Sequence, residues 1–380
     1  MVATKTLVPF FMHDLGQPEL EAIKQVFAGP ILTTGSTVSR FEQLFSQFLN
    51  CKHTLGVTSC TGALHMSLIA LGVGPGDEVI TTPMTFIATA TAILEAGATP
   101  VFVDVEPETG NIDASKVEAA ITSKTRAIIP VHLYGQMCDM IALRAIADRH
   151  DLFIVEDAAH CIEGERDGVK PGQLGDTACF SFYATKNLTC GEGGAVSTNS
   201  DELAEKLKLL RTHGMTKTAA DRSVEGYSHW DMKVLGWKYN MDNIQAAILI
   251  PQLERIMDNW NKRNALAQRY EKQLQGVKGI VRPTTYAGVK HAWHLYPIWI
   301  ENNQRDRFLE GLQKCGIGVM VNYRAIHLLS FFSEKYGFAD GAFPVAERMG
   351  DETLSLPLYP NMPLEHVDIV VRTLKELTEQ

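Results

Sequence analysis

The sequence predicts an α/β protein in which a large domain with a mostly parallel sheet precedes a smaller α+β C-terminal domain. From about residue 52, short runs rich in Val, Ile and Thr alternate with stretches of helical spacing, the pattern of βαβ units covered by helices on both faces. Several strand-like runs, among them AIIPV and LFIV, are apolar throughout, as in strands buried on both sides. After residue 279 the pattern becomes a shorter mixture of strands and helices.

The elements of the large domain follow one another in a regular order. Strands are predicted at residues 53–59, 77–83, 99–105, 125–132 and 152–159, and helices at residues 63–72, 86–98, 113–121 and 139–151. Two closely spaced strands, TACFSFYA and GGAVSTN, then interrupt the alternation, and a helix is predicted after them at residues 202–213.

A long amphipathic stretch at residues 241–274 predicts the helix that links the two domains. Because a proline inside a helix removes one hydrogen bond, Pro251 is expected to kink or split this helix. We place the large domain at residues 1–250 and the small domain at residues 251–380. In the small domain, strands are predicted in HAWHLYPIWI and IGVMVNY, and a closing helix at residues 364–377.

Composition and charge narrow the class of function. The 380 residues include 35 Lys and Arg against 44 Asp and Glu, a net charge of −9, whereas nucleic-acid-binding proteins usually carry a basic stripe. No apolar run approaches the roughly 20 residues that span a bilayer, and the N-terminal segment does not resemble a secretory signal. The seven scattered cysteines contain no C-x-x-C pair. We expect a cytoplasmic protein that binds neither nucleic acid, membrane nor metal.

Ligands of such sheets bind outside the carboxyl ends of the strands, and the first candidate there is VTSCTGALH. Its small residues Thr61, Gly62 and Ala63 leave backbone N–H groups free at a helix N-terminus, which suits a phosphate group. A helix capped by Ser or Thr, without any ligand, explains the same residues.

The second candidate is IVEDAAH, where Glu156, Asp157 and His160 follow an apolar strand. A carboxylate at the end of a buried strand is costly unless a cation pairs with it. A metal ion, a substrate cation and a protonated ring nitrogen are all possible partners. The alternative is an aspartate that caps the next helix.

The third candidate is Lys186 in SFYATKNLTCGEGG. A P-loop is excluded because its lysine follows the glycines, whereas Lys186 precedes them. Since Lys186 follows an apolar strand, partial burial is expected to lower its pKa, as an amine nucleophile requires. An exposed turn lysine is the alternative.

The fourth candidate is Phe86 in TTPMTFIAT, which offers a flat face to a planar ligand or else packs in the core. Together, the four segments supply a phosphate cradle, a carboxylate, an aromatic face and a nucleophilic amine. Pyridoxal phosphate, a planar phosphorylated aldehyde with a basic ring nitrogen, requires all four.

In the order and spacing of its motifs, the chain resembles the DegT/DnrJ/EryC1/StrS family of nucleotide-sugar aminotransferases, which use pyridoxal phosphate and have fold type I, like aspartate aminotransferase. The matching segments, which extend over nearly the whole chain, are GPILTTG, SCTGALH, TTPMTFIATA, PVFVDV, IIPVHLYGQ, VEDAAH, SFYATKNLTCGEGG, RTHGM, KYNMDNIQAAI, HAWHLY and LSLPLYP. SCTG departs from the commoner Ser-Gly-Thr-Ala form of the family.

The resemblance implies a role for each cofactor residue. Lys186 binds the cofactor aldehyde covalently and Asp157 pairs with the ring nitrogen, so both are catalytic. The remaining implied cofactor contacts are Phe86 stacking on the ring, Thr61, Gly62 and Ser181 at the phosphate, His160 near the ring oxygen, and Asn240, which reaches the phosphate of the neighbouring subunit. The last of these implies a homodimer with shared active sites.

The resemblance also implies the reaction. L-glutamate gives its amino group to the cofactor, leaving 2-oxoglutarate and pyridoxamine phosphate, and a 4-keto nucleotide sugar accepts the amine at C4. The motifs are most similar to those of transaminases that form UDP-4-amino-4-deoxy-L-arabinose. A 3-keto-sugar transaminase and a pyridoxal-phosphate-dependent dehydratase are alternatives, although sugar dehydratases of this family carry histidine in place of the lysine. A non-catalytic sensor of sugar nucleotide or cofactor is a further alternative, which the intact lysine disfavours.

Substrate contacts follow from the same motifs. The donor carboxylates and the sugar diphosphate require cations, for which Lys238 and Arg324 are candidates. Loop residues 216–230 are expected to help determine which sugar is bound. Thr34, Thr89 and His327 are also predicted to contact the substrate. The predicted substrate contacts are therefore Thr34, Thr89, Lys238, Arg324 and His327.

Overall fold

A computed structural model describes residues 7–217 and 229–379 of the chain. Its helices are α1 Gln17–Ala28, α2 Ser36–Leu49, α3 Cys60–Ala70, α4 Ala88–Glu95, α5 Ala114–Val117, α6 Met140–His150, α7 Asp201–Leu210, α8 Asn243–Glu254, α9 Ile256–Leu274, α10 Arg305–Lys314, α11 Ser330–Tyr336, α12 Pro344–Glu352 and α13 Leu364–Thr378. Its strands are β1 His53–Val57, β2 Glu78–Thr81, β3 Thr99–Phe102, β4 Thr125–Ile128, β5 Phe153–Asp157, β6 Glu165–Arg166, β7 Thr177–Ser181, β8 Gly194–Thr198, β9 Ile280–Val281, β10 Val289–Lys290, β11 Tyr296–Ile300 and β12 Thr353–Leu356. Within the described ranges, no helix is long and apolar enough to cross a bilayer.

The central sheet has seven strands in the order β1-β8-β7-β5-β4-β2-β3. The pairs β2–β3, β2–β4, β4–β5 and β5–β7 are parallel, whereas β8 is antiparallel to both β7 and β1. The mostly parallel α/β sheet predicted from the sequence is therefore confirmed. The two strands that interrupt the predicted alternation are β7 and β8, and the reversal between them turns the chain at the edge where the parallel strands end.

Helices cover both faces of this sheet. The side chains on one face contact α3, α4 and α7, and those on the other contact α2, α6 and α8. Fully burying one such aliphatic or aromatic side chain contributes about 1.5–3 kcal/mol, so the two layers fix the strands in position. Representative buried residues are Leu55, Val79 and Val155 on the first face, and Ile128, Ile154 and Phe180 on the second.

The C-terminal region has a sheet and a core of its own. Strand β11 pairs antiparallel with β9 and β12, and α9, α10 and α13 contribute buried side chains to the same cluster, including Tyr270, Leu312 and Leu374. The apolar N-terminal residue Val8 joins this cluster. We propose that this region is a separate small domain that begins near residue 251, as the sequence predicts.

Two expectations about local structure need correction. The linking helix is divided at Arg255 rather than at Pro251, which lies inside α8. Arg255 leaves the helical conformation (φ −107°, ψ 13°), and its guanidinium donates to Asp14 and Glu19. The segment IGVMVNY forms two isolated bridges, at Ile317 and Met320, instead of a strand. Helices α1 and α2 lie before the first predicted element.

A buried polar cluster holds the end of β5. Glu156 is completely buried, and its Oε1 accepts hydrogen bonds from the backbone N–H groups of Gly172 (3.0 Å) and Gly175 (2.8 Å). Its Oε2 lies 2.9 Å from Nε2 of His132. Because His132 Nδ1 accepts from the N–H of Cys138, the ring hydrogen is on Nε2 and points at the carboxylate. Glu156 thus ties β5 to two neighbouring loops, directly beside Asp157.

We predict that Glu156→Ala lowers the free energy of unfolding by about 3–5 kcal/mol, because removing one partner leaves buried donors without an acceptor. Urea unfolding followed by circular dichroism measures the change. The control is Glu205→Ala, which removes an exposed carboxylate paired with Lys208 and should change stability by less than about 1 kcal/mol. Equal unfolding midpoints for the two variants would contradict the role given to Glu156.

Candidate active site

The predicted functional residues meet at one edge of the central sheet. Strand β5 ends there with Asp157, β1 leads there into the first turn of α3, and β7 leads into the turn at residues 182–193, which carries Lys186 and which we call the lysine turn. Because β1, β8, β7 and β5 are neighbours in the sheet, these three connections lie side by side. Phe86 follows β2 at the same edge, just before α4.

Lys186 lies in a turn that is held from two sides. On one side, Thr189 exchanges backbone hydrogen bonds with the Gln252 side chain of α8, at 3.1 and 2.7 Å. On the other, the Asn187 amide donates to Glu163 (2.9 Å) and to the carbonyl of Ala292 (3.1 Å). Burial lowers the pKa of Lys186 to about 8, although the nearby Asp157 opposes this shift. The amine therefore has the partial desolvation predicted for a nucleophile.

Asp157 is 6% exposed and its orientation is fixed. Its Oδ2 accepts a hydrogen bond from the Thr89 hydroxyl at 2.7 Å, and its Oδ1 accepts from the N–H of Ala159 at 3.2 Å. Thr85 lies 2.8 Å from Thr89 and extends the chain of hydroxyl groups. Burial raises the pKa of Asp157, while these hydrogen bonds and the charge of Lys186 oppose the rise. A cationic ligand beside Asp157 would stabilise its charged form.

Two of the three backbone N–H groups predicted to be free at the start of α3 are engaged within the chain, as in a capped helix: that of Ala63 donates to the carbonyl of Ser59 and that of Gly62 to the Ser59 side chain. Ser59 caps the helix, with its Oγ accepting from the N–H of Gly62 at 3.0 Å. Gly194, the first residue of β8, lies directly opposite both Val57 and Ser181. A Cβ atom on Gly194 would lie 2.6 Å from the backbone nitrogen of the residue that begins α3. Only glycine allows the sheet to approach the helix terminus this closely.

Phe86 is not a core residue, since its side chain is 54% exposed. Its ring lies 5.7 Å from the ring of Tyr323, between centroids. Phe86 thus presents an uncovered aromatic face three residues before Thr89, which holds Asp157, as stacking on a planar ligand requires.

Two buried histidines lie near the lysine. The His160 and His294 rings are 4.4 Å apart between centroids, and burial, reinforced by the charge of Lys186, lowers the pKa of both well below the usual value. His294 Nδ1 lies 3.3 Å from Oδ1 of Asn187, whose amide nitrogen is engaged elsewhere. The His294 ring therefore donates from Nδ1 and keeps an unprotonated Nε2.

Three of the predicted ligand residues form a separate group. The Asn240 amide donates to the Thr34 hydroxyl at 2.7 Å, and the Lys238 ammonium donates to the Asn240 carbonyl oxygen. Thr34 in turn donates to the carbonyl of Met241. This group lies beside the end of β1, because Asn240 forms a bridge with Val57.

Two predicted substrate residues are reinterpreted from their surroundings. Thr89 is completely buried and donates to Asp157, so we assign it to holding that carboxylate. His327 is also completely buried, 3.0 Å from Glu347 and packed against Phe343, and we assign it to packing. Arg324 is exposed. Of the loop expected to select the sugar, residues 218–228 lie outside the described residues.

The residues present fit pyridoxal phosphate. The buried Asp157 would receive a protonated ring nitrogen, the exposed Phe86 would stack on the ring, and Lys186 would bind the aldehyde. The α3 terminus and Ser181, a buried residue at the end of β7, would hold the phosphate. In the part of the chain that the structure describes, no group of three or more His, Cys, Asp or Glu residues is arranged to hold a metal ion.

Sequence reasoning did not single out Tyr323 or Thr85. Tyr323 lies 3.2 Å from His160 although 163 residues separate them, so no local pattern predicts the contact. Thr85 precedes the N-cap of α4, so helical spacing does not predict its contact with Thr89 either.

Comparison with known proteins agrees with this geometry. A family model described as the DegT/DnrJ/EryC1/StrS aminotransferase family matches residues 13–375. The spore coat polysaccharide biosynthesis protein SpsC of Bacillus subtilis is 39% identical, covering 98% of this chain and 97% of SpsC.

Solved structures of sugar aminotransferases have the same fold. DesV of S. venezuelae, in complex with a ketimine intermediate, superposes with a TM-score of 0.88 at 38% identity over 95% of this chain and 94% of DesV. The putative sugar aminotransferase Spr1654 of Streptococcus pneumoniae, in its PMP form, superposes with a TM-score of 0.93 at 30% identity over 98% and 99% of the two chains.

These matches extend over nearly the full length of the chain, and they confirm the predicted fold type I. The chain belongs to the DegT/DnrJ/EryC1/StrS aminotransferase family.

Proposed function

We propose that this protein uses pyridoxal phosphate to transfer the amino group of L-glutamate to C4 of a 4-keto sugar linked to a nucleotide, which we take to be UDP. The observation that carries the proposal is the meeting of Lys186, with a pKa lowered to about 8, and the buried Asp157 at one edge of the sheet. PLP and PMP forms of Spr1654 support the cofactor. The bound cofactor supplies an electron sink for the carbanion at the amino-acid Cα.

Lys186 has two tasks in this reaction. Its neutral amine would bind the cofactor aldehyde, and, once displaced by the donor, would take the proton from the donor Cα and return it on the cofactor side. A group that both accepts and donates a proton works best when its pKa is near the working pH. Partial burial in the lysine turn brings Lys186 into that range.

Asp157 keeps the ring nitrogen protonated. An ion pair with a cation favours the charged form of a carboxylate, and the hydrogen bond from Thr89 holds Oδ2 in place for that pair. The same pair draws electron density toward the ring nitrogen, which stabilises negative charge developing at the reacting carbon.

The identity of the two substrates is proposed from the motifs and from the relatives. SpsC is named for polysaccharide biosynthesis, and PseC of Helicobacter pylori for the biosynthesis of pseudoaminic acid. By analogy with these two relatives, we propose that this protein makes an amino sugar in the cytoplasm for the biosynthesis of a surface polysaccharide. The exposed Arg324 and the Lys238 ammonium are our candidates for binding the donor carboxylate and the sugar diphosphate.

We further propose that the active protein is a homodimer in which Asn240 reaches the phosphate bound by the partner. Large exposed apolar side chains support an interface near the site, where water would otherwise contact them. Besides Phe86, they are its neighbour Ile87 and Tyr183 in the lysine turn.

The direct test incubates the pyridoxamine form of the protein with a panel of UDP-, dTDP- and GDP-linked 4-keto and 3-keto sugars. We expect a UDP-linked 4-amino sugar, identified by mass spectrometry and NMR. Lys186→Ala is the control, and its turnover should fall by at least about 10³-fold, since general acid–base catalysis alone contributes 10²–10⁴-fold. Loss of the sugar C3 hydroxyl without amination would instead identify a dehydratase.

A second prediction concerns the free amine. In the cofactor-free protein, labelling of Lys186 by an amine-reactive reagent should reach half its maximal rate near pH 8, because only the neutral amine reacts and its fraction rises with pH. An unperturbed lysine has a pKa of about 10.4. Peptide mass spectrometry measures labelling at each pH, with the exposed Lys24 and Lys314 as internal references. If the labelling rate of Lys186 had the same pH dependence as the rates of these two lysines, its pKa would not be lowered.

A third prediction separates the two roles open to Asp157. Asp157→Asn should slow proton removal from glutamate by at least about 10²-fold while changing cofactor affinity only a few-fold, because the amide cannot keep the ring nitrogen charged. Stopped-flow absorbance measures the first quantity and equilibrium dialysis the second. The matched control is Asp104→Asn, a carboxylate at the same sheet edge that accepts from the N–H groups of Val345 and Ala346. Equal losses in rate and affinity would count against the assigned role.

A further inference from the structure

Tyr323 connects the C-terminal region to the candidate site. Its hydroxyl lies 3.2 Å from Nε2 of His160, and its ring lies 5.7 Å from that of Phe86. The charge of Asp157 also acts on the Tyr323 hydroxyl. Tyr323 thus borders the space that Phe86, Asp157 and His160 surround.

The hydrogen-bond partners of His160 determine the direction of this contact. The backbone N–H of Tyr134 donates to His160 Nδ1 at 3.2 Å, so Nδ1 carries no hydrogen. Burial lowers the pKa of His160 well below its usual value, and a neutral imidazole carries its single hydrogen on the other nitrogen. His160 therefore donates from Nε2, and the Tyr323 oxygen accepts.

A tyrosine hydroxyl that accepts one hydrogen bond still has its own hydrogen to donate. Burial raises the pKa of Tyr323 above its usual value, although a side-chain hydrogen bond with Asn322 opposes the rise, so the hydrogen is retained at neutral pH. It points away from His160, since that side of the oxygen is occupied. A ligand stacked on Phe86 would meet this donor.

We propose that Tyr323 donates a hydrogen bond to the ring oxygen of the bound cofactor, and that His160 is a positioning residue that acts through Tyr323. The inference rests on the proposed cofactor. It changes the role implied for His160 by family resemblance, because both His160 nitrogens are already engaged within the chain. The negatively charged ring oxygen is the acceptor that gains most from a neutral phenol donor.

The expected consequence is a shift in the titration of the nitrogen that links Lys186 to the cofactor. When that nitrogen loses its proton, the negative charge on the ring oxygen is no longer compensated, and the hydrogen bond from Tyr323 stabilises this deprotonated form. Removing the hydroxyl therefore raises the pKa of the linkage. The other titratable groups that act on Lys186, or on which it acts, are Asp157, Cys60, His160 and His294, and all of them remain in a Tyr323→Phe variant.

The test is a pH titration of the visible absorbance of the loaded protein. In Tyr323→Phe the midpoint should rise by about one pH unit, a tenfold change in proton affinity. The matched control is Tyr270→Phe, which removes a buried phenol in the C-terminal core whose hydrogen is donated to the carbonyl of Pro357 at 3.1 Å, and its midpoint should stay within about 0.2 units of the wild type, a change of less than twofold.

A double-mutant cycle tests the part assigned to His160. His160→Ala should shift the midpoint in the same direction as Tyr323→Phe, and should add little in the Tyr323→Phe background, because a residue that acts through another has no separate effect once that partner is gone. An unshifted midpoint in Tyr323→Phe, with a higher KM for the sugar, would overturn the inference and assign the hydroxyl to the sugar. A wild-type protein without a lysine-dependent visible band would instead overturn the proposed cofactor.

Discussion

The interaction on which the site depends is the mutual influence of the Lys186 ammonium and the Asp157 carboxylate. Burial disfavours the charged form of each group, and the charge of the other restores it in part, so the pKa of the lysine is lowered only to about 8 and that of the aspartate is raised. If Lys186 were fully exposed, its amine would be protonated at neutral pH and inert as a nucleophile. If Asp157 were absent, nothing would favour a cationic ring nitrogen. The chemistry therefore requires an intermediate degree of burial.

The reversed strand β8 sets that degree of burial. Because β8 runs antiparallel between β7 and β1, the chain turns at the edge where Asp157 lies, and Lys186 is placed in the turn rather than at the end of a buried strand. Gly194 allows β8 to start in contact with the backbone of Ser59 and Cys60, so the lysine turn and the helix terminus come together. Gly194, the last of the glycines after Lys186, thus serves the approach of two backbone segments.

The sequence predicted the parallel sheet, the interrupting strand pair and the placement of Lys186, Asp157 and Phe86 at one edge, because each depends on local periodicity or on a rule for where parallel strands end. It did not predict that α8 ends at Arg255, since that break depends on ion pairs with Asp14 and Glu19, more than 200 residues away. From the sequence, His327 and Thr89 were predicted to contact the substrate. A motif specifies the residue type at a position but does not show whether the side chain is buried, and both side chains are buried. The Tyr323 contact depends on how the C-terminal region packs, which no window of sequence contains.

The C-terminal region contributes groups to the candidate site that the large domain does not supply. Tyr323, His294 and the carbonyl of Ala292 all belong to this region, and they contact His160 and Asn187 beside Lys186. Asn187 is held both by Glu163 after β5 and by Ala292, so the lysine turn is fixed only when the two regions are packed together. A substrate that changed this packing would alter the orientation of Lys186 without touching it. The C-terminal region therefore contributes residues to the candidate site.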